Sequence, residues 1–86
     1  MSQTKKPILL ALGKLIKQRR KNRELSQEQL GFLSNLDRTY ISGVERGIRN
    51  PSLTALASLA SGLDITLSEL LKDLESQANN TTNLDE

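Results

Sequence analysis

The chain has 86 residues, 36% of them hydrophobic but only 2% aromatic, which supports one domain whose core is built from Leu, Ile, Val and Ala. With no cysteine and no histidine, disulfides, thiol nucleophiles, thiolate or imidazole metal ligands and the commonest general base are all excluded. The net charge of +2 conceals a split: residues 1–50 carry eleven Lys and Arg against four carboxylates (+7), and residues 51–86 one Lys against six (−5), which points to a polyanionic partner for the first half.

In chain order, residues 1–6 read as a flexible N-terminus, residues 7–75 as the folded domain and residues 76–86, rich in Asn, Thr, Ser and Gln, as a disordered tail. Pro7 suits the first turn of a helix, and "ILLALGKLIKQRRKNR" follows with Leu9, Leu12 and Ile16 on one stripe, interrupted by Gly13. Its apolar run Ile8–Leu12 is far too short to cross a bilayer or to act as a signal peptide, so a cytoplasmic setting is expected and the Asn79 and Asn80 sequons carry no meaning.

"SQEQL" opens a second helix. Ser26 as N-cap with Gln29 three residues on forms a capping box, Leu30 and Leu33 face inward, and Gly31 permits another backbone to approach. That helix ends near Ser34–Asn35. Asp37 caps a third, "RTYISGVER", which Gly47 ends in the left-handed conformation, with Ile48 beyond it as an apolar contact. Pro51 keeps Asn50 out of helical geometry. Ser52 caps a fourth helix with Leu53, Leu56, Ala57 and Ala60 inward and Gly62 as terminator. Thr66 and Glu69 box the start of a fifth, "LSELLKDLE". There is no strand signal and no internal repeat: the expectation is an all-α domain of five helices.

Helices two and three are joined by about three residues, the spacing of a helix-turn-helix. At about 100° per residue, Arg38, Thr39, Ser42, Gly43 and Arg46 share one broad arc of the third helix, while Ile41 and Val44 point away. Such a helix fits the B-DNA major groove, about 12 Å wide. Arg38 sits near a helix N-terminus, where the dipole disfavours a cation, which is easier to explain by a partner than by the helix itself. Tyr40 flanks the apolar stripe, placed to pack on the core with its hydroxyl at the surface or to touch a DNA backbone. Arg20 continues the stripe Leu12–Ile16 by one helical step and Glu45 follows Ile41 by the same step, so the two are expected to pair across helices one and three, at the edge of the core. Four leucines in eight residues, Leu67, Leu70, Leu71 and Leu74, are more than the end of such a domain needs, and part of them is expected at a dimer interface.

The run "LSQEQLGFLSNLDRTYISGVERGIRNPSLTALASLASGLDITLSELL" resembles the phage-repressor-like (Xre-type) helix-turn-helix regulators over roughly residues 8–74, and within them most the controller proteins of restriction–modification systems. The resemblance implies a lambda-repressor-like DNA-binding domain with its helix-turn-helix at helices two and three. It implies a phosphate contact for Gln27, and places Arg38, Thr39, Ser42 and Gly43 toward base edges or the adjacent backbone. Arg46, Arg49 and Asn50 would lie along the flanking phosphates, with Tyr40 counted among the backbone contacts. It carries an Arg20–Glu45 type of pair as well. Two positions depart from the family pattern: Gly31 stands where Ala is usual, and Gly43 where relatives often have a long base-reading side chain, leaving room there for a thymine methyl. The expected function is a homodimeric transcriptional regulator on a pseudo-palindromic double-stranded DNA operator, with no catalysis, cofactor, metal or small-molecule effector. The alternative is an antitoxin-type or adaptor protein that binds a protein partner.

Overall fold

A computed structural model describes residues 6–84, with side chains through residue 79, and all the regular structure among them is helical. The five expected helices are present in order: α1 Pro7–Asn22, α2 Gln27–Ser34, α3 Arg38–Glu45, α4 Leu53–Gly62 and α5 Leu67–Leu71. Of the residues read as a disordered tail, 76–84 instead form most of a sixth helix, α6 Leu74–Leu84, which packs along α1, and 85–86 lie outside the described residues. Composition misleads there because α6 needs little apolar surface. Ala78 is buried, and Asp73 and Gln77 lie beside Leu15, Gln18, Arg19 and Asn22 of α1. Residues 1–5 of the expected flexible N-terminus lie outside the described residues.

Leu12, Ile16, Leu30, Ile41, Val44, Leu59, Ala60, Leu63 and Leu70 form one core to which each of α1 to α5 contributes. Three residues expected inside are not: Leu33 is 51% and Leu53 67% exposed, and Ala57 is exposed as well. α2 and α4 are short and each is covered on one side only, so part of the apolar surface of each turns to solvent. Phe32, 85% exposed, stands beside Leu33 on the outer face of α2.

Helix starts follow the expected chemistry with one exception. Ser26 accepts from the Gln29 N–H and Thr66 from the Glu69 N–H, each in a complete capping box, and Ser52 accepts from the Ala55 N–H. Glu69 accepts in return from the Thr66 backbone N–H and hydroxyl, and those bonds hold its carboxyl below the usual glutamate range. Asp37 occupies the N-cap position of α3 but its side chain makes no cap bond. Its carboxylate accepts from the Thr39 hydroxyl at 3.3 Å instead.

Four helices end in the same way. A residue in the left-handed region is followed by an apolar one whose N–H reaches back five residues: Leu25 to Arg20, Leu36 to Gly31, Ile48 to Gly43 and Ile65 to Ala60. The left-handed residues are Glu24, Asn35, Gly47 and Asp64. Gly62 is therefore not the terminator of α4. It is helical, packed against Ser34 of α2, and the reversal occurs two residues later at Asp64. Close approach explains the glycines of α1 and α2. A Cβ at Gly13 would lie 2.6 Å from the Val44 carbonyl oxygen of α3, and one at Gly31 would lie 2.6 Å from that of Leu36 in the turn before α3.

Candidate nucleic-acid interface

The angle of α3 is held by a buried polar cluster behind it. Arg20 Nε donates to Glu45 Oε2 at 2.6 Å and its Nη2 to Oε1 at 3.0 Å, a two-pronged pair. The third donor, Nη1, reaches the Leu25 carbonyl at 2.8 Å, and Gln27 Nε2 donates to Glu45 Oε1 at 3.0 Å. Both charged side chains are about as buried as the core, at 10% and 3% exposure, where an edge position was expected. The close approach of α1 to α3 at Gly13 and the start of α2 above the pair exclude water. Gln27, expected at a phosphate, has its amide nitrogen on Glu45, which fixes the start of α2 relative to the end of α3.

In front of this cluster the arc is open. Arg38 and Thr39 are exposed at the start of α3, Ser42 is half-buried one turn on, and Arg46 Nε donates to Ser42 Oγ at 3.3 Å. Arg38 makes no ion pair among the described residues, and Asn50 is exposed in the loop beyond. Gly43 is the exception on the arc. It is buried, because the Arg49 side chain lies across it, so the open space expected for a thymine methyl is occupied. Tyr40 is half-buried and packs on the core, and the Arg49 guanidinium carbon sits 5.1 Å from its ring centroid.

Other cations counted in the basic half serve the fold. Arg23 Nη1 donates to the Leu63 carbonyl at 2.7 Å and Arg19 Nη2 to that of Glu69 at 3.4 Å, tying α1 to the ends of α4 and α5. Sequence reasoning missed both. The only signal was their place at the C-terminal end of α1, which does not say which carbonyls lie opposite. Of the leucines expected at a dimer interface, Leu70 is core at 1% exposure, while Leu67, Leu71 and Leu74 are half-buried against it. No group of metal-binding side chains occurs among the described residues, and no described helix is long and apolar enough to cross a membrane.

Comparison with known proteins agrees with this arrangement. A helix-turn-helix family model matches residues 16–70. The control protein C.MunI of a Mycoplasma species is 48% identical over 65 residues, 76% of this chain and 88% of its own. The crystal structure of the restriction-modification controller protein C.AhdI from Aeromonas hydrophila superposes with a TM-score of 0.71 at 50% identity, covering 72% of this chain and 94% of that one. The controller protein C.Esp1396I, solved as a tetramer in complex with its natural 35 base-pair operator, is 35% identical with a TM-score of 0.76, covering 84% and 95%. With the family model spanning α2 to α5 and relatives matched over most of their length, the chain belongs to the helix-turn-helix family of DNA-binding transcriptional regulators.

Proposed function

We propose that this chain is a homodimeric regulator of a pseudo-palindromic operator, acting on restriction–modification genes as its controller-protein relatives are named for doing. The observation that carries the reading is the polar arc of exposed Arg38, Thr39 and Arg46 with half-buried Ser42, on a helix whose back is locked by a buried ion pair. In this reading Arg38, Thr39 and Ser42 address base edges. Arg46 and Asn50 address phosphates, as does the side of Gln27 that Glu45 leaves free.

The homodimer is assigned to the face of α4 and α5 where Leu53 and Ala57 are exposed and Leu67 borders the same shallow depression as Ala57. The exposed Leu53, one helical turn before Ala57, extends that apolar surface along α4.

Titration of fluorescent duplexes at several salt concentrations tests the DNA reading. Arg38→Ala is expected to cost roughly 1–3 kcal/mol on a preferred duplex and almost nothing on a scrambled one. Arg46→Ala is expected to weaken both alike and to reduce the salt slope by about one. Equal losses on both duplexes for Arg38→Ala would reduce the arc to a phosphate clamp.

A further inference from the structure

α1 carries Lys14, Lys17, Arg19, Arg20 and Lys21 and not one carboxylate. Two of these cations are engaged within the fold, Arg20 on Glu45 and Arg19 on the Glu69 carbonyl. The three lysines are exposed and make no ion pair among the described residues. At about 100° per residue all three fall within about 40° of Leu10 around the helix. Leu10 is where the loop after α3 rests on α1: an ideal Cβ at Gly47 would lie 2.8 Å from Leu10 Cδ2 and 3.1 Å from its Cα. Gly13, beside Lys14, meets the last carbonyls of α3. The lysines therefore follow the side of α1 that meets the end of α3 and its loop. The opposite side, around Leu15, is the one that α6 covers.

We propose that Lys14, Lys17 and Lys21 form a second DNA-binding surface, a row of ammonium groups that holds the phosphate backbone flanking the groove that α3 enters. This rests on the reading that α3 faces the major groove. At 1.5 Å per residue the row is about 10 Å long, the length of about three base pairs of duplex. Lysine suits such a place. Its ammonium is a compact charge on a flexible stem, which can follow a line of phosphates without a set orientation, whereas base readout asks for a planar fork. The row also costs α1 something on its own. Lys14 and Lys17 are three residues apart and Lys17 and Lys21 four, spacings at which like charges repel on a helix surface. A helix face that only meets water ordinarily mixes the two signs, and this one does not. A polyanion laid along it reverses the sign of that interaction and releases its own counterions.

The triple variant Lys14→Gln, Lys17→Gln, Lys21→Gln tests this against a control with the same change in net charge. The control is Lys72→Gln, Ser76→Glu, Asn79→Asp, at exposed positions on and just before α6. In duplex titrations at several salt concentrations, the α1 variant is expected to lose about tenfold or more at low salt, on preferred and scrambled duplexes alike. Its salt slope falls by about two to three, its choice of sequence is unchanged, and the control loses far less. Ethylation of phosphates along the duplex is expected to reveal a short run in each half-site that wild type needs and the α1 variant does not. Lys17→Gln alone, lowering the slope by about one, keeps the readout if the triple variant fails to fold, which thermal melts show. The proposal is overturned if the control loses as much as the α1 variant, or if both show the same ethylation pattern. A loss confined to the preferred duplex overturns it too. In each of these cases a base preference still erased by Arg38→Ala leaves the major-groove reading intact. A wild-type chain that binds no duplex overturns both.

Discussion

Glu45 is the residue on which the orientation of α3 depends. It accepts two bonds from Arg20 and one from Gln27, so one carboxylate ties together α1, α2 and α3. The pair was legible from spacing, since each residue continues an apolar stripe by one step. Its depth was not, because the cover comes from the Leu25 carbonyl and the start of α2. Glu45→Ala leaves the Arg20 charge buried and unpaired, and a loss of about 3–5 kcal/mol in urea or thermal unfolding is expected. Glu28→Ala, at an exposed site, is expected to change stability by less than about 0.5 kcal/mol. Glu24 offers the opposite case: an exposed, non-glycine residue at φ 57°. The left-handed region costs a side-chain-bearing residue about 1–2 kcal/mol, part of which glycine's greater unfolded-state freedom offsets. Glu24→Gly is therefore expected to stabilise the domain by about 0.5–1 kcal/mol, read as a melting temperature several degrees higher.

At the scale of the element, the helix starts were easier to read than the ends. Ser26, Ser52 and Thr66 announce themselves because a side-chain oxygen and an N–H three residues on are all a cap needs. Ends were read from glycine, which found Gly47 and misplaced the end of α4 at Gly62. The shared pattern is an apolar residue directly after the left-handed one (Leu25, Leu36, Ile48, Ile65), whose N–H closes back on its own helix. Apolar character at a fixed offset was the available signal, and glycine distracted from it. α6 was missed for a related reason. Its Asn, Thr and Ser are poor helix formers, and of its described side chains only Leu74, Gln77 and Ala78 turn toward the domain, two of them apolar. What holds it is the α1 face around Leu15, with Ala11 one turn earlier. A chain ending at residue 73 uncovers that face. It is expected to lose about 1–2 kcal/mol while its affinity for a preferred duplex stays within a factor of two or so, checked by melting and by duplex titration.

Across the whole molecule, the charge split becomes a division of labour. Arg19, Arg20 and Arg23 hold helices together, whereas Arg38, Arg46 and Arg49 converge on one exposed surface. The count of cations in the first half therefore overstated the charge available to DNA. The apolar surface divides likewise. Leu70 belongs to the core, and the exposed Leu53 stands on α4, apart from the leucines expected at a dimer interface. Leu53→Glu is expected to give folded monomers that bind a single half-site normally and a full site much more weakly, because half-sites about one turn or ~34 Å apart are no longer linked. Sedimentation with parallel duplex titrations checks it. An unchanged dimer in Leu53→Glu would move the seam off this face, and a monomeric wild type would remove it altogether.

The residues alone determined the fold class, the helix-turn-helix, the polar arc of α3 and the pairing of Arg20 with Glu45. Each follows from spacing within a helix or across a three-residue turn, where covalent geometry fixes neighbours. Only the tertiary structure decided how deep that pair lies, which leucines are core, that α6 exists and that Arg49 lies over Gly43. Those depend on which surface of one helix covers another. Two residues of the same chemistry, such as Leu30 and Leu33, part ways according to whether α4 reaches them. Periodicity gives an amphipathic helix its apolar direction, but the breadth of the strip that becomes buried is set by its neighbours.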